Sequence, residues 1–145
     1  MSCILFIDDQ PNVLRGLERM LRAFRHQADC LFVRDPEEAI AVARKVQPDI
    51  VVTDMRMPGV DGLDVLDDVR LHCPSSARVL LSGDIGLDNL GRTAGVAHQC
   101  LNKPCSSDEL TAKLSTLLRL RQRVIYPRLD RKSTRLNSSH ITISY

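Results

Sequence analysis

Four short apolar segments of this chain each end in side chains that can bind or accept a phosphoryl group. These side chains are Asp8 and Asp9, Asp54, Ser82, and Lys103. If the segments are neighbouring parallel strands, their carboxyl ends lie on one edge of the sheet, where open α/β sheets place their binding sites. We therefore expect three carboxylates, one hydroxyl and one ammonium to share a pocket.

The expected pocket suits phosphoryl chemistry assisted by a divalent cation. Asp8, Asp9 and Asp54 offer hard oxygen ligands, and Mg²⁺ is typically held by one or two carboxylates together with water and phosphate oxygens. A carboxylate can also attack phosphorus, and Asp54, which ends the predicted central strand, is our candidate for that nucleophile. The ammonium of Lys103 and the hydroxyl of Ser82 would neutralise charge on the transferred group.

The alternation of apolar segments with segments of helical period predicts a (βα)5 domain. The unbroken β-branched run at 50–52 is typical of a parallel strand covered on both faces. Pro11 and Pro36 mark the first turns of two helices, and Asp61 can cap a third. The predicted strands span 3–7, 31–33, 50–53, 79–81 and 99–102, and the predicted helices run from 11 to about 25, from 36 to Pro48, from 61 to about 72, weakly after 82, and from 106 onward. Right-handed crossovers fold such a chain into a parallel sheet with helices on both faces.

Composition and charge predict one domain that binds neither membrane nor nucleic acid. The chain has 145 residues, of which 43% are hydrophobic and 26% charged, and no apolar run approaches the roughly 18 residues that span a bilayer. Its five cysteines form no metal-binding or disulfide pattern, which predicts reduced thiols and a cytoplasmic location. The net charge of +2 arises from the basic segment 131–145, and the rest of the chain is close to neutral, unlike a nucleic-acid-binding surface.

Four motifs together resemble one known family. They are Asp8-Asp9, the loop 53–62, Ser82-Gly83 and Lys103-Pro104. In this order and combination, the chain resembles a response regulator receiver domain of bacterial two-component signalling over residues 1–121. The resemblance implies a flavodoxin-like α/β fold, a doubly wound parallel sheet of order 2-1-3-4-5.

The resemblance implies a role for each site residue. Asp54 would accept a phosphoryl group from a histidine kinase or a phosphotransfer protein, and Ser82 and Lys103 would contact that group. Mg²⁺ would bind to Asp8, Asp9, Asp54 and the backbone carbonyl of Arg56. The bond between Lys103 and Pro104 is expected to be cis, which proline permits.

The resemblance also implies a switch driven by phosphorylation. Phosphorylation would pull Ser82 inward and shift an output surface formed by the fourth helix, the fifth strand and the fifth helix. The family usually has Tyr or Phe three residues before its lysine, whereas this chain has Cys100. In the family, this aromatic ring often moves between exposed and buried positions and so reports phosphorylation, which a thiol cannot do. Ser82 and the fourth helix would therefore carry the switch alone, or the protein would signal weakly.

A second pair of charged residues flanks the expected site. Arg56 and Asp84 lie two residues beyond Asp54 and Ser82, respectively. We hypothesise that Arg56 and Asp84 form an ion pair that shields the aspartyl phosphate from water and so sets its lifetime.

Two other functions are compatible with these residues. An aspartyl-nucleophile phosphatase would resemble an Asp-x-Asp pattern, which Gln10 after the first strand and Arg56 after the third disfavour. A receiver-like interaction module that is never phosphorylated is the second alternative, and Cys100 keeps it open. In the favoured interpretation the domain catalyses its own phosphorylation and dephosphorylation and is not an enzyme acting on outside substrates.

The end of the chain changes in character. Residues 122–130 are interpreted as the start of a linker to a missing output domain, and the polar segment 131–145 as a non-native or disordered tail. Segment 95–101 is similar to that of receivers joined to HDOD or HD-GYP output domains. A homodimer through an edge strand in the alternating segment 141–145 is a further partner arrangement that the sequence leaves open.

Overall fold

The structure is a computed structural model that describes residues 2–83, 90–103 and 106–125. Its strands are β1 (Ser2–Ile7), β2 (Ala28–Val33), β3 (Ile50–Asp54), β4 (Ala77–Ser82) and β5 (Gln99–Asn102). Its helices are α1 (Pro11–Met20), α2 (Pro36–Val46), α3 (Gly62–His72), α4 (Leu90–Val96) and α5 (Ser107–Ile125). The expectations placed on Asp84, Pro104 and residues 126–145 lie outside the described residues.

The five strands form one parallel sheet of order β2-β1-β3-β4-β5. This arrangement confirms the predicted flavodoxin-like fold. Helices α1 and α5 cover one face of the sheet, where the buried side chains include Phe6, Leu14, Val52 and Leu114. Helices α2 and α3 cover the other face, with Leu5, Ala43, Val51 and Leu66. Because successive residues of a strand point to opposite faces, the central strands bury side chains on both sides.

Aspartate side chains cap α2 and α3, the second at the residue that the sequence predicted. The Asp35 side chain accepts the Glu37 N–H at 3.2 Å, and Pro36 occupies the first turn of α2. Asp61 caps α3 by accepting the Asp64 N–H at 2.8 Å, and the Asp64 carboxylate accepts the Asp61 N–H in return. These side chains satisfy N–H groups that have no partner within the helix, so the helix starts are fixed locally.

Two element boundaries differ from the predicted ones by three residues or more. Helix α1 ends at Met20 rather than near residue 25, and a 3₁₀ turn over Arg22–Phe24 follows it. This tighter turn places both Leu21 and Phe24 in the core. Strand β2 begins at Ala28 rather than at residue 31, because its first residues pair with Ser2 and its neighbours in β1 even though they form no apolar run.

The C-terminal half of α5 is anchored to the sheet by one arginine. Arg121 donates from Nε to Asp49 Oδ1 at 2.7 Å and also bonds the Ser75 carbonyl. The second oxygen of Asp49 accepts the N–H of Cys3 at 2.7 Å. The Arg121 side chain is 11% exposed and that of Asp49 is 24% exposed, so solvent screens this pair only partly.

We expect Arg121→Met to lower the free energy of unfolding by about 2 kcal/mol, the value of a hydrogen bond to a charged group. Urea denaturation followed by circular dichroism measures this change. The matched control is Arg119→Met, because Arg119 is exposed on the same helix and its side chain makes one weak hydrogen bond within the described part of the chain, to Thr116 at 3.5 Å. Equal stability of the two variants would contradict the anchoring role.

Within the described residues, no helix has both the length and the apolar character needed to span a membrane.

Candidate functional site

The structure brings the chemistry-bearing residues from three strand ends to one place. Asp8 directly follows β1, Asp54 is the last residue of β3, and Lys103 directly follows β5. The Lys103 Nζ atom lies 2.8 Å from Asp54 Oδ1 and 3.4 Å from Asp8 Oδ2. Residues separated by 49 and 95 positions in the sequence therefore make direct ion pairs at the carboxyl edge of the sheet.

The three aspartates form a compact carboxylate cluster. One oxygen from each of Asp8, Asp9 and Asp54 lies within 4.8 Å of the others. Asp8 is 1% exposed, and its Oδ1 accepts the N–H of Gln10 at 2.9 Å. Because β1 ends at Ile7, strand alternation no longer governs the next two residues, and both Asp8 and Asp9 reach the cluster.

The electrostatics of the cluster favour a bound cation. Burial raises the pKa of Asp8, and the negative charge of Asp54 adds to this rise, whereas the Gln10 N–H and Lys103 oppose it. Burial alone would lower the pKa of Lys103, but its hydrogen bonds and charge interactions with Asp54 and Asp8 outweigh burial and raise it. Lys103 therefore stays protonated, yet one ammonium faces three carboxylates. This surplus of hard oxygen ligands fits a divalent ion such as Mg²⁺.

Ser82 supplies a buried hydroxyl at the same edge. It is the last residue of β4, is 3% exposed, and its Oγ has no hydrogen-bond partner within the described part of the chain. Its carbonyl accepts the Lys103 N–H at 3.0 Å, which fixes the two residues side by side. Buried hydroxyls are normally hydrogen-bonded, so this one indicates a place for an oxygen-bearing ligand.

Gly62 supports the backbone of Asp54, and the sequence analysis did not single it out. An added Cβ at Gly62 would lie 2.2 Å from the Asp54 carbonyl oxygen and 3.0 Å from Met55 Cα. The Gly62 N–H also donates to the Met55 carbonyl at 2.8 Å. The start of α3 therefore packs directly on the backbone of the candidate nucleophile. A glycine directly after the capping aspartate was the available signal.

We expect Gly62→Ala to lower the free energy of unfolding by about 2 kcal/mol, because the new methyl group forces backbone atoms apart. Thermal and urea denaturation measure the change. The matched control is Gly16→Ala within α1, where nothing lies within 4 Å of an added Cβ. Alanine there should stabilise the helix by up to about 1 kcal/mol. Changes of the same sign and size in both variants would contradict this steric role for Gly62.

Helix α4 is tied to the start of α3 by an arginine that the sequence analysis also missed. Arg92 bonds Asp61 at 3.3 Å and Asp64 at 2.9 Å. Burial would raise the pKa of Asp61, but hydrogen bonds from the Asp64 N–H and from Arg92 lower it below its ordinary value. The sequence predicted a helix cap at Asp61, and the structure adds a link from the loop that follows Asp54 to α4.

The remaining predicted residues are placed as follows. Arg56 is exposed in the loop after β3, beside a cavity that Met55, Met57, Pro58 and Asp61 also line. Asp84 and Pro104 lie outside the described residues, so the predicted Arg56–Asp84 ion pair and the cis bond stay predictions. Cys100 is exposed in β5 with a free thiol.

Comparison with protein families matches residues 4–115 to the response regulator receiver domain. The chain is 38% identical over 119 residues to the transcriptional regulatory protein TrcR of Mycobacterium tuberculosis, a match covering 80% of this chain and 45% of that protein. It is 34% identical over 121 residues to the transcriptional regulatory protein PrrA of Mycobacterium leprae, covering 81% of this chain and 50% of that protein. The chain thus spans about half the length of these curated relatives.

Solved structures show the same architecture. The signal receiver domain of an HD domain-containing protein from Pseudomonas fluorescens Pf-5 superimposes with a TM-score of 0.77 at 26% identity, covering 83% of this chain and 97% of that one. A response regulator receiver domain protein from Clostridium thermocellum gives a TM-score of 0.76 at 25% identity, covering 84% and 98%.

Proposed function

Because this chain belongs to the response regulator receiver domain family, we propose that Asp54 accepts a phosphoryl group from a histidine kinase or phosphotransfer protein. The observation that carries the proposal is the position of the Lys103 ammonium, 2.8 Å from Asp54 and 3.4 Å from Asp8. The carboxylate that would react and the cation that would neutralise the transferred charge are already in contact. Asp54 is also only partly buried at the sheet edge, so a donor can approach it.

We further propose that Asp8, Asp9 and Asp54 hold Mg²⁺ together with the backbone carbonyl of Arg56. The mutual distances of the carboxylate oxygens, all within 4.8 Å, support this assignment. When bound, Mg²⁺ neutralises negative charge on the phosphoryl oxygens during transfer.

The protein side chains would then perform distinct tasks. An Asp54 oxygen forms the bond to phosphorus while the bond between phosphorus and the donor breaks on the opposite side. Lys103 Nζ and Ser82 Oγ donate hydrogen bonds to the phosphoryl oxygens, where the charge of the loose transition state lies. The unpartnered Ser82 hydroxyl supports this role, since a phosphoryl oxygen would satisfy it. Loss of the group by hydrolysis would complete a cycle in which this domain acts only on itself.

The phosphorylated state would be read at α4, β5 and α5. The Arg92 ion pairs to Asp61 and Asp64 join α4 to the loop after Asp54, which supports α4 as the moving element. Cys100 in β5 offers no aromatic ring, so we assign the switch to Ser82 and α4. A free thiol among the described cysteines is compatible with a cytoplasmic location.

The names of the relatives and of the similar structures point to two kinds of output domain. TrcR and PrrA are transcriptional regulatory proteins, whereas the Pseudomonas fluorescens receiver belongs to an HD domain-containing protein. The similarity of segment 95–101 to HDOD and HD-GYP receivers favours the second kind of output domain. Contacts with DNA would be made outside this receiver domain. Self-association into a homodimer would bring two output domains together.

The deciding experiment exposes the protein to phosphoramidate with Mg²⁺ and follows its intact mass. The proposal expects a gain of one phosphoryl group, slow loss of that group, and no gain when EDTA removes the metal. A protein that binds partners but never gains mass would instead be the unphosphorylated interaction module. Continuous release of phosphate from phosphate esters would identify the aspartyl-nucleophile phosphatase.

We expect Mg²⁺ to raise the thermal unfolding temperature, because an ion that relieves repulsion among three carboxylates binds only the folded protein. At a free concentration about ten times its dissociation constant, the stabilisation is about 1.4 kcal/mol, or about 5 °C. Differential scanning fluorimetry at constant ionic strength measures this shift. Asp9→Asn should remove most of it, whereas Glu18→Gln, an exposed change on α1, should not. An equal shift in wild type and Asp9→Asn would argue against the metal site.

A further inference from the structure

A cleft opens between the end of α4 and α5, at the opposite end of the sheet from Asp54. Its volume is about 480 Å³, and Val96, Ala97, Leu117 and Leu120 provide apolar walls. Arg78 also lines it. Because Arg78 is the second residue of β4 and Ser82 the last, the cleft lies about 13 Å along the strand from the phosphoryl site.

Among the residues that the structure describes, Arg78 is a buried cation without a carboxylate partner. It is 8% exposed, and within the described residues its guanidinium makes one hydrogen bond, from Nε to the Val96 carbonyl at 2.5 Å. Its backbone is fixed by two 2.8 Å hydrogen bonds with His98, one to Nδ1 and one from the His98 N–H. A guanidinium has five N–H donors, so most of its capacity remains for a ligand.

The charges around Arg78 do not neutralise it. The nearby acid, Asp67, is bonded to Arg70 through two hydrogen bonds of 3.0 and 2.8 Å on the exposed face of α3. Burial and the positive charge of Arg70 lower the pKa of Arg78, and Asp67 opposes them only in part. A buried charge without a paired anion is unfavourable, so an anion entering this cleft would relieve that cost.

The walls of the cleft define what kind of anion fits. Leu117 and Leu120 form an apolar rim. Leu120 is 45% exposed, so a large apolar side chain faces solvent at this rim. We propose that this cleft binds an aspartate or glutamate side chain of a partner protein, with the carboxylate on the Arg78 guanidinium and an adjacent apolar residue against Leu117 and Leu120. The planar guanidinium can bind a carboxylate through two parallel hydrogen bonds.

The cleft borders α4, β5 and α5, the surface proposed above to respond to phosphorylation, but the inference does not rest on phosphoryl transfer at Asp54. The cleft exists in the unphosphorylated protein, and no residue of the carboxylate cluster lines it. Its test is therefore made without Mg²⁺ or a phosphoryl donor, and Asp54→Asn should bind as the wild type does.

The experiment titrates the ¹⁵N-labelled full chain with two capped peptides, acetyl-Leu-Glu-Leu-amide and acetyl-Leu-Gln-Leu-amide. We expect the glutamate peptide to bind at least about tenfold more tightly, because it adds a hydrogen bond to a charged group. The amide signals of Val96, Ala97 and His98 and the Nε–H signal of Arg78 should shift with it. Acetate alone should bind far more weakly, because it lacks the apolar contacts.

Three variants make the result decisive. Arg78→Gln should remove the preference for the glutamate peptide, and Arg78→Lys should keep part of it. Arg15→Gln removes the same charge from an exposed side chain of α1, far from the cleft, and should leave the preference intact. Equal binding of the two peptides by the wild-type protein, or an unchanged preference in Arg78→Gln, would overturn the proposal. Shifts that acetate reproduces in full would identify only a small-anion site and would overturn it as well.

Discussion

The Asp54→Asn variant is expected to gain no phosphoryl group from phosphoramidate under conditions in which the wild-type protein is fully modified. The amide oxygen carries no negative charge and forms no stable acyl phosphate, so the bond to phosphorus cannot form. Asparagine also removes one oxygen ligand from the carboxylate cluster. Intact-mass measurement over a time course, with Mg²⁺ present, distinguishes complete loss from slow uptake.

The loss in Asp54→Asn must be separated from misfolding. Removing one of three mutually repelling carboxylates should leave the free energy of unfolding unchanged or higher when Mg²⁺ is absent, since Lys103 keeps its contact with Asp8 at 3.4 Å. A stable variant that still gains a phosphoryl group would assign the acceptor to another side chain, and peptide mapping would locate it.

Lys103→Met is expected to slow phosphoryl uptake by about a hundredfold or more, the loss typical for removing one charged donor from a developing anion. The ammonium lies 2.8 Å from Asp54, where it can follow the negative charge from the carboxylate to the phosphoryl oxygens. Lys103→Arg keeps the positive charge but has a different shape, so we expect it to slow phosphoryl uptake less than Lys103→Met does. The rate of mass gain from phosphoramidate, measured at saturating Mg²⁺, gives the comparison.

Mg²⁺ binding should respond to Lys103→Met in the opposite direction. Without the ammonium, the three carboxylates attract a divalent ion more strongly, so the Mg²⁺-dependent rise in unfolding temperature should persist or increase. Lys113→Met, an exposed change on α5, serves as the control for loss of a lysine and should alter neither property. A Lys103→Met variant that takes up phosphoryl groups within threefold of the wild-type rate would exclude the proposed role.

Helix α3 shows how local signals fixed parts of the fold. Asp61 predicted its start, because a helix cap depends only on residues within the first turn. The end of α1 and the start of β2 were predicted less well. Core packing of Phe24 decides where α1 ends, and pairing with β1 decides where β2 begins. Neither is a local property of the sequence.

The fold class and the chemical character of the site could be predicted from local features of the chain. Apolar segments of strand length alternate with helical periods, and the side chains at their carboxyl ends, such as Asp54 and Lys103, identify phosphoryl chemistry. Contacts between distant residues emerged from the fold: the Arg92 ion pairs to α3, the close approach of Gly62 to the Asp54 carbonyl, and the absence of a carboxylate beside Arg78 among the described residues. The physical reason is that periodicity reports whether a residue is buried, whereas an ion pair, a steric contact or an unpaired charge depends on a second residue far away in the chain.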